Sequence, residues 1–181
     1  MTRIIAGTYG GRRLLAPPGD GTRPTTDRVR EALFSSLQSE FGSLDGLRVL
    51  DLFAGSGAIG LEAASRGAAH VDLVENDRRA AQTITANIKE LRCDIARVKI
   101  QPVERFVLTP PAAPYDLIFL DPPYAYAHEA LEELLVAVST WLSEDGLIVV
   151  ERSRRDDFVW PKPLEALRDK KYGETILWYG H

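Results

Sequence analysis

From Gly46 onward, short apolar runs alternate with segments of helical periodicity. Five runs predict β-strands: RVLDLF, VDLVEN, RVKIQP, DLIFLD and GLIVVE. The intervening segments predict helices at Ala58–Ser65, Asp77–Leu91 and Glu129–Trp141, with Asp77 as an N-cap. Nearly continuous apolar strands separated by helices indicate a parallel sheet that is covered on both faces. We therefore predict a doubly wound α/β domain, with KKYGETILWYG as an antiparallel strand or hairpin at one edge.

The N-terminal residues have a different composition and predict a separate extension. RIIAGTYGGRRLLAPPGDGTRP is rich in glycine, proline and arginine, which favours short strands and turns. The next stretch, TTDRVREALFSSLQSEF, predicts a helix with Thr26 or Asp27 as its N-cap. Its apolar positions share one face: Val29, Leu33, Phe34, Leu37 and Phe41. We expect a hairpin-plus-helix extension over residues 1–44, packed against a domain formed by residues 45–181.

Charge is distributed unevenly along the chain. The formal net charge is −4, but the first 30 residues hold six arginines against two aspartates. That local balance of +4 leaves −8 on the remainder. An acidic body with a basic arm suits contact with phosphates, and a solvated surface explains the same charges equally well. The overall balance argues against a protein that coats nucleic acid indiscriminately.

The cysteine, histidine and hydropathy patterns argue against a disulfide-bonded, zinc-binding or membrane-spanning protein. The single cysteine, Cys93, excludes an intrachain disulfide and is interpreted as an ordinary structural thiol. The three histidines lack the spacing of a zinc site, so we expect no metal. No apolar run reaches the length of a bilayer span, and the first residues lack a signal-peptide core. We expect a cytoplasmic protein with no membrane partner.

A glycine-rich loop joins a predicted strand to a helix in VLDLFAGSGAIGLEAASRG. Gly55, Gly57 and Gly60 permit a tight turn and close approach to a bound nucleoside. The string GSGAIG also fits the dinucleotide fingerprint, so a nicotinamide or flavin cofactor is an alternative. Asp51 would repel a pyrophosphate but suits the ammonium group of S-adenosylmethionine. Glu75, 20 residues after Gly55, suits the ribose hydroxyls of either cofactor.

The tetrapeptide DPPY follows the predicted strand DLIFLD, at the same carboxyl edge of the sheet as the glycine loop. An exocyclic amino group of a base is a poor nucleophile because its lone pair is delocalised into the ring. The Asp121 carboxylate and the Pro122 carbonyl can accept its two N–H groups and direct the lone pair at a sulfonium methyl. Tyr124 offers a face on which the base can stack. The motif predicts in-line methyl transfer that leaves S-adenosylhomocysteine.

Over nearly its whole length the chain resembles the RsmD family of bacterial 16S rRNA guanine-N2 methyltransferases. The matching segments are RIIAGTYGGRRL, RPTTDRVREALF, LDLFAGSGAIGLEAASRGA, VEND and DPPY. RPTTDRVRE is the most particular of these, since DPPY also occurs in DNA adenine methyltransferases. The resemblance implies a Rossmann-like class I methyltransferase fold with a seven-stranded sheet. It also implies methylation of guanine 966 of 16S rRNA within the small ribosomal subunit; we expect a monomer.

The resemblance also implies roles for individual residues. The expected cofactor-binding set is Asp51, Ala54, Gly55, Ser56, Gly57, Glu75, Asn76, Val103 and Asp121. Val103 would supply only a backbone contact near the adenine. The expected catalytic set is Asp121, Pro122 and Tyr124. Candidate contacts to rRNA phosphates are Arg12, Arg13, Arg23 and Arg28. A structural role on the surface of the helix is an equal alternative for Arg28 and Arg30.

Three rival functions remain open from the sequence. The first is an amino-methyltransferase of DNA adenine or another RNA, although 181 residues leave little room for a base-reading domain. The second is a nicotinamide-dependent oxidoreductase, which leaves DPPY unexplained. The third is a non-catalytic ribosome assembly factor that binds RNA through its basic arm.

Overall fold

The computed structural model describes residues 2–17 and 26–181. The helices are α1 (Asp27–Phe41), α2 (Ala58–Ser65), α3 (Arg78–Leu91), α4 (Val103–Phe106) and α5 (His128–Ser139). The strands are β1 (Thr2–Arg3), β2 (Arg13–Leu14), β3 (Arg48–Asp51), β4 (His70–Glu75), β5 (Ala96–Ile100), β6 (Tyr115–Leu120), β7 (Leu142–Ser153), β8 (Ala166–Tyr172) and β9 (Thr175–Gly180). Strands β1 and β2 form an antiparallel hairpin, and the other seven form the central sheet.

The central sheet has the strand order β5-β4-β3-β6-β7-β9-β8. Strands β3 to β7 run parallel, and β8 and β9 form the antiparallel hairpin expected at one edge. The chain leaves β3 in one direction along the sheet and returns to pair β6 on its other side. Ligands bind at the carboxyl ends of the strands that flank such a switch point. The predicted doubly wound, Rossmann-like fold is confirmed.

Alternate side chains of the strands enter two separate cores, because successive residues of a strand point to opposite faces. Val49 and Leu117 lie in one core with residues of α1, α2 and α3. Leu50 and Ile118 lie in the other core with residues of α5. All four side chains are buried. The sheet is therefore covered on both faces, as continuous apolar strands require.

The N-terminal residues pack onto the face covered by α2. Ile4 and Leu14 are buried in the same core as Leu33. The fully buried carboxylate of Glu62, on α2, accepts the N–H groups of Ile5 (2.7 Å) and Ala6 (3.0 Å). The hairpin thus replaces water around a buried charge with backbone donors. The division of the chain near residue 44 stays a prediction.

Arg30 does not lie on the surface of α1, where the sequence placed it. Its side chain is fully buried, with Nη2 3.0 Å from Asp27 Oδ1 and Nε 3.9 Å from the buried Glu62 carboxylate. It also donates to the carbonyl oxygen of Arg3. The surface expectation was wrong because the buried carboxylate, contributed by a distant helix, draws the guanidinium into the core.

The predicted N-caps of two helices are confirmed. The Thr26 hydroxyl accepts the N–H of Val29 (3.3 Å) at the start of α1. The Asp77 carboxylate accepts the N–H of Ala80 (2.8 Å) at the start of α3.

Cys93 is buried, and this burial raises the pKa of its thiol. Within the described residues, no helix is long and apolar enough to cross a bilayer.

Candidate active site

The glycine loop between β3 and α2 turns sharply because two of its residues adopt positive φ. Gly55 has φ 55° and Gly57 has φ 80°, a region that residues with a side chain rarely enter. The N–H of Gly57 donates to the carbonyl oxygen of Ala54 (2.7 Å) and closes the turn. A Cβ on Gly60 would lie 2.6 Å from Leu73 Cδ2, so glycine there lets α2 approach β4 closely.

Asp51 ends β3 with a carboxylate that is only 1% exposed. Its Oδ2 accepts the N–H of Gly60 at 3.3 Å, and its Oδ1 has no hydrogen-bond partner within the described residues. Burial raises the pKa of this carboxyl to about 7, the Gly60 N–H lowers it in part, and the nearby Glu75 carboxylate adds to the rise. An incompletely solvated carboxylate in this position favours a cationic partner.

Glu75 ends β4 and connects the neighbouring loops. Its Oε2 accepts the N–H of Gly55 (2.8 Å), and its Oε1 accepts the N–H of Asp77 (2.8 Å). The side chain therefore holds the glycine loop against the carboxyl end of β4. Each carboxylate oxygen retains a second lone pair, so Glu75 can accept further hydrogen bonds from a ligand.

The DPPY loop follows β6, which is the sheet neighbour of β3. Asp121 and Pro123 line the same cavity as the glycine loop, and Pro122 is buried. The Tyr124 side chain is 62% exposed and does not line this cavity. Its predicted stacking function stays a prediction.

A second tyrosine, which the sequence analysis did not single out, lines the cavity. The Tyr126 ring meets the Phe53 ring edge-on, with 5.2 Å between the ring centroids. Its hydroxyl donates to Glu104 Oε1 at 2.6 Å. Desolvation and then this hydrogen bond raise the pKa of Tyr126, so the hydroxyl stays protonated and donating. Helix α4 and the DPPY loop are thereby joined beside the cavity.

The cavity has a volume of about 560 Å³, which is in the range of small-molecule sites. Eight of the nine predicted cofactor-binding residues line it: Asp51, Ala54, Gly55, Ser56, Glu75, Asn76, Val103 and Asp121. The ninth, Gly57, shapes the turn instead. The sequence analysis missed several lining residues: Thr2, Ala16, Pro17, Phe53, Glu104 and Tyr126. Glu104 directly follows Val103, for which only a backbone contact was expected, and the other five residues belong to no motif that marked them as cavity-lining.

Three of the four candidate RNA-binding arginines lie within the described residues of the N-terminal part. Arg13 is exposed in β2, and Arg28 is exposed on α1. Arg12 Nη2 donates to the Glu90 carbonyl oxygen (2.7 Å) and lies 3.3 Å from Glu90 Oε1. Arg23 lies outside the described residues.

The sheet order, the terminal antiparallel hairpin and an acid-flanked glycine loop at the switch point define the Rossmann-like class of S-adenosylmethionine-dependent methyltransferases. A family model described as conserved hypothetical protein 95 matches residues 2–181. The chain belongs to this family, the RsmD family.

Named relatives and solved structures agree with this membership. The chain is 42% identical to ribosomal RNA small subunit methyltransferase D of Escherichia coli K12, over 82% of this chain and 73% of the relative. It is 35% identical to the protein of the same name from Haemophilus influenzae, over 94% and 89%. The solved yhhF protein from Escherichia coli superposes with a TM-score of 0.84 at 36% identity, covering 99% of this chain and 96% of that one.

Proposed function

We propose that this protein transfers a methyl group from S-adenosylmethionine to the N2 amino group of a guanine in 16S rRNA, at position 966. One observation carries the chemistry: a single cavity is lined by Asp51 of the glycine-loop strand and by Asp121 of DPPY. The substrate follows from family membership and from relatives named as methyltransferases of small-subunit ribosomal RNA. The rRNA is presented within the small ribosomal subunit, and the enzyme acts as a cytoplasmic monomer.

The residues around the cavity fit S-adenosylmethionine. Asp51 Oδ1, which is buried without a hydrogen-bond partner in the described chain, is a suitable acceptor for the ammonium group. Glu75 would accept from the ribose hydroxyls. The rest of the proposed contact set is Ala54, Gly55, Ser56, Gly57, Asn76, Val103 and Asp121. When bound, the cofactor supplies an electrophilic methyl group on a positively charged sulfur.

In this proposal the DPPY residues bind the guanine amino group, which is the nucleophile. The Asp121 carboxylate and the Pro122 carbonyl accept the two N–H groups of the guanine amine, which orients its nitrogen and stabilises the positive charge that develops there. Pro122 and Pro123 restrict the backbone, so little entropy is lost when the amine is held. The exposed ring of Tyr124 is accessible to a base removed from its stack.

The basic N-terminal extension, residues 1–44, contacts rRNA phosphates in this proposal. Arg12, Arg13, Arg23 and Arg28 are the proposed contacts, and residues 45–181 form the methyltransferase domain. Phosphate contacts position an enzyme without reading sequence. The acidic remainder of the chain disfavours random RNA at physiological salt, so recognition depends on the shape of the target.

The decisive experiment uses methyl-labelled S-adenosylmethionine and small ribosomal subunits from cells that lack this gene. The modified nucleoside is identified and mapped by mass spectrometry. We expect N2-methylguanosine at one 16S position. Label confined to DNA, as N6-methyladenine, or to another RNA would refute the proposed substrate while keeping the chemistry.

Variants separate catalysis from binding. Asp121→Ala should bind S-adenosylhomocysteine but transfer no methyl group, whereas Asp145→Ala, an exposed aspartate at the start of β7, should behave as wild type. Full methylation by Asp121→Ala would refute the proposed role of Asp121 in methyl transfer. A melting-temperature shift with NADH but not with S-adenosylmethionine would favour an oxidoreductase, and unimpaired ribosome assembly with Asp121→Ala would favour a binding role.

A further inference from the structure

Asn87 is a buried amide that connects two distant parts of the chain. It lies on α3 and is 2% exposed. Its Oδ1 accepts the N–H of Leu15 (2.8 Å), and its Nδ2 donates to the carbonyl oxygen of Leu15 (3.1 Å). Nδ2 also donates to the carbonyl oxygen of Ser56 (3.2 Å). One side chain therefore holds both the N-terminal segment and the glycine loop.

One partner of Asn87 lines the cofactor cavity, and the other directly precedes two residues that line it. Ser56 lines the cavity directly. Leu15 is followed by Ala16 and Pro17, which line it from the N-terminal side. The position of this wall relative to the glycine loop is thus fixed through one amide. A movement of the glycine loop would therefore reach Leu15 through Asn87.

The same face of α3 contacts the glycine loop at one end and a basic residue of the hairpin segment at the other. Residues three positions apart share a helix face, so Ile84, Asn87 and Glu90 form one row. A Cβ on Gly57 would lie 3.1 Å from Ile84 Cγ2, which places this side chain against the loop. Glu90 contacts Arg12 through its backbone carbonyl and its carboxylate. The row therefore links the cofactor loop to a proposed phosphate-contacting arginine.

We infer that Asn87 is a positioning residue that couples cofactor binding to RNA binding. This inference rests on the proposed function, because it assumes that S-adenosylmethionine fills the cavity and that the N-terminal arginines meet RNA. A ligand that orders a shared wall removes that entropic cost for the second ligand. The coupling is reciprocal, so each ligand raises the affinity for the other by the same factor.

The test measures the affinity of unmethylated small ribosomal subunits with and without saturating S-adenosylhomocysteine. In the wild-type protein we expect the cofactor product to tighten binding by about fivefold or more, the lower end of typical coupling. In Asn87→Ala the ratio should fall to near one. Thr85→Ala, an exposed position on the same helix, is the matched control and should keep the wild-type ratio.

Two further readouts distinguish coupling from a general structural defect. Asn87→Asp keeps the size of the side chain and its acceptor for the Leu15 N–H but loses both donated bonds, so it should also lose most of the coupling. Asn87→Asp replaces Asn87→Ala in the coupling test if Asn87→Ala fails to fold. In either folded variant, KM for the cofactor and for the particles should rise while kcat at saturation of both stays near wild type.

The outcomes separate this inference from the proposed function. Wild-type protein that binds both ligands without coupling, or a folded Asn87→Ala variant that retains the full ratio, would overturn the inference alone. Wild-type protein that binds neither S-adenosylhomocysteine nor the particles would overturn the proposed function and the inference together. Separate titrations of each ligand identify which case applies.

Discussion

If Asp51 binds the ammonium group of the cofactor as proposed, its buried carboxyl should make cofactor binding depend on pH. Its pKa is about 7 in the free protein, chiefly because the group is removed from water. A raised carboxyl pKa means that the neutral form dominates below pH 7. The ammonium group of the cofactor requires the ionised form, so binding must displace a proton below this pH. Affinity should therefore increase as pH rises through 7.

The size of the effect follows from the ionised fraction. At pH 6 about one-eleventh of a group with pKa 7 is ionised, and at pH 7.5 about three-quarters is. If only the ionised form binds, Kd for S-adenosylhomocysteine falls about eightfold between these values. Above about pH 8 an α-amino group begins to lose its own proton, so the comparison stops at pH 7.5.

Isothermal titration calorimetry tests this prediction directly. At pH 7, titrations in buffers of different ionisation enthalpy should show release of about half a proton per cofactor bound. Asp51→Asn keeps the shape of the side chain but removes the charge, so its affinity should be weaker at pH 7.5 and nearly flat from pH 6 to 7.5. A wild-type Kd that is constant over this range, or an equal slope in Asp51→Asn, would refute the reasoning.

The same carboxyl affects the stability of the free protein with the opposite dependence on pH. Because the folded pKa lies above the unfolded value, the folded state holds the extra proton between about pH 4 and pH 7. The contribution of Asp51 is therefore most favourable below about pH 4, declines between about pH 4 and pH 7, and is lost once pH has risen through the folded pKa of about 7. The full change is on the order of 4 kcal/mol. Asp51→Asn should remove this dependence from urea denaturation curves.

Four substitutions in the framework of the site give further expected changes in the free energy of unfolding, measured by urea denaturation. Gly7→Ala should cost about 3 kcal/mol, because φ is 84° and the new Cβ would lie 1.9 Å from the Ser65 carbonyl oxygen; Gly11→Ala, with φ 81° and open space, should cost about 1 kcal/mol. Glu62→Ala should cost about 3–5 kcal/mol, because it removes the acceptor for the N–H groups of Ile5 and Ala6 and one of the two carboxylates beside the buried Arg30 guanidinium. Asp77→Ala should cost about 1 kcal/mol through the lost N-cap. Equal losses in the two glycine variants, or losses under 1 kcal/mol for Glu62→Ala, would contradict these explanations.

Apolar periodicity was sufficient to predict the central strands because β3, β4 and β6 are buried on both faces. The carboxyl-edge rule then placed Asp51 and Asp121 beside one cavity without any contact information. Both inferences depend on residues close together in the sequence. They succeed where local pattern and tertiary environment agree.

The positions of Tyr126 and Arg30 could not be predicted from local sequence patterns. Tyr124 and Tyr126 lie in one irregular loop, and only Tyr126 lines the cavity. The difference is set by contacts with Phe53, in the loop after β3, and with Glu104, on α4. The burial of Arg30 likewise depends on a carboxylate 32 residues away in the chain. No periodicity within a loop or a single helix contains this information.

The N-terminal segment differs from the domain in composition, but its backbone is bound to the helix that begins at the cofactor loop. The N–H groups of residues 5 and 6 reach Glu62, and those of residues 8 and 9 reach the carbonyl and the hydroxyl of Ser65. Both partners lie on α2, which the glycine loop immediately precedes. Residues 5–9 can therefore move relative to α2 only by breaking these hydrogen bonds. Leu15 lies beyond them and is held to the glycine loop by Asn87. The inferred coupling concerns this second anchor, between the end of the segment and the glycine loop, and not the first.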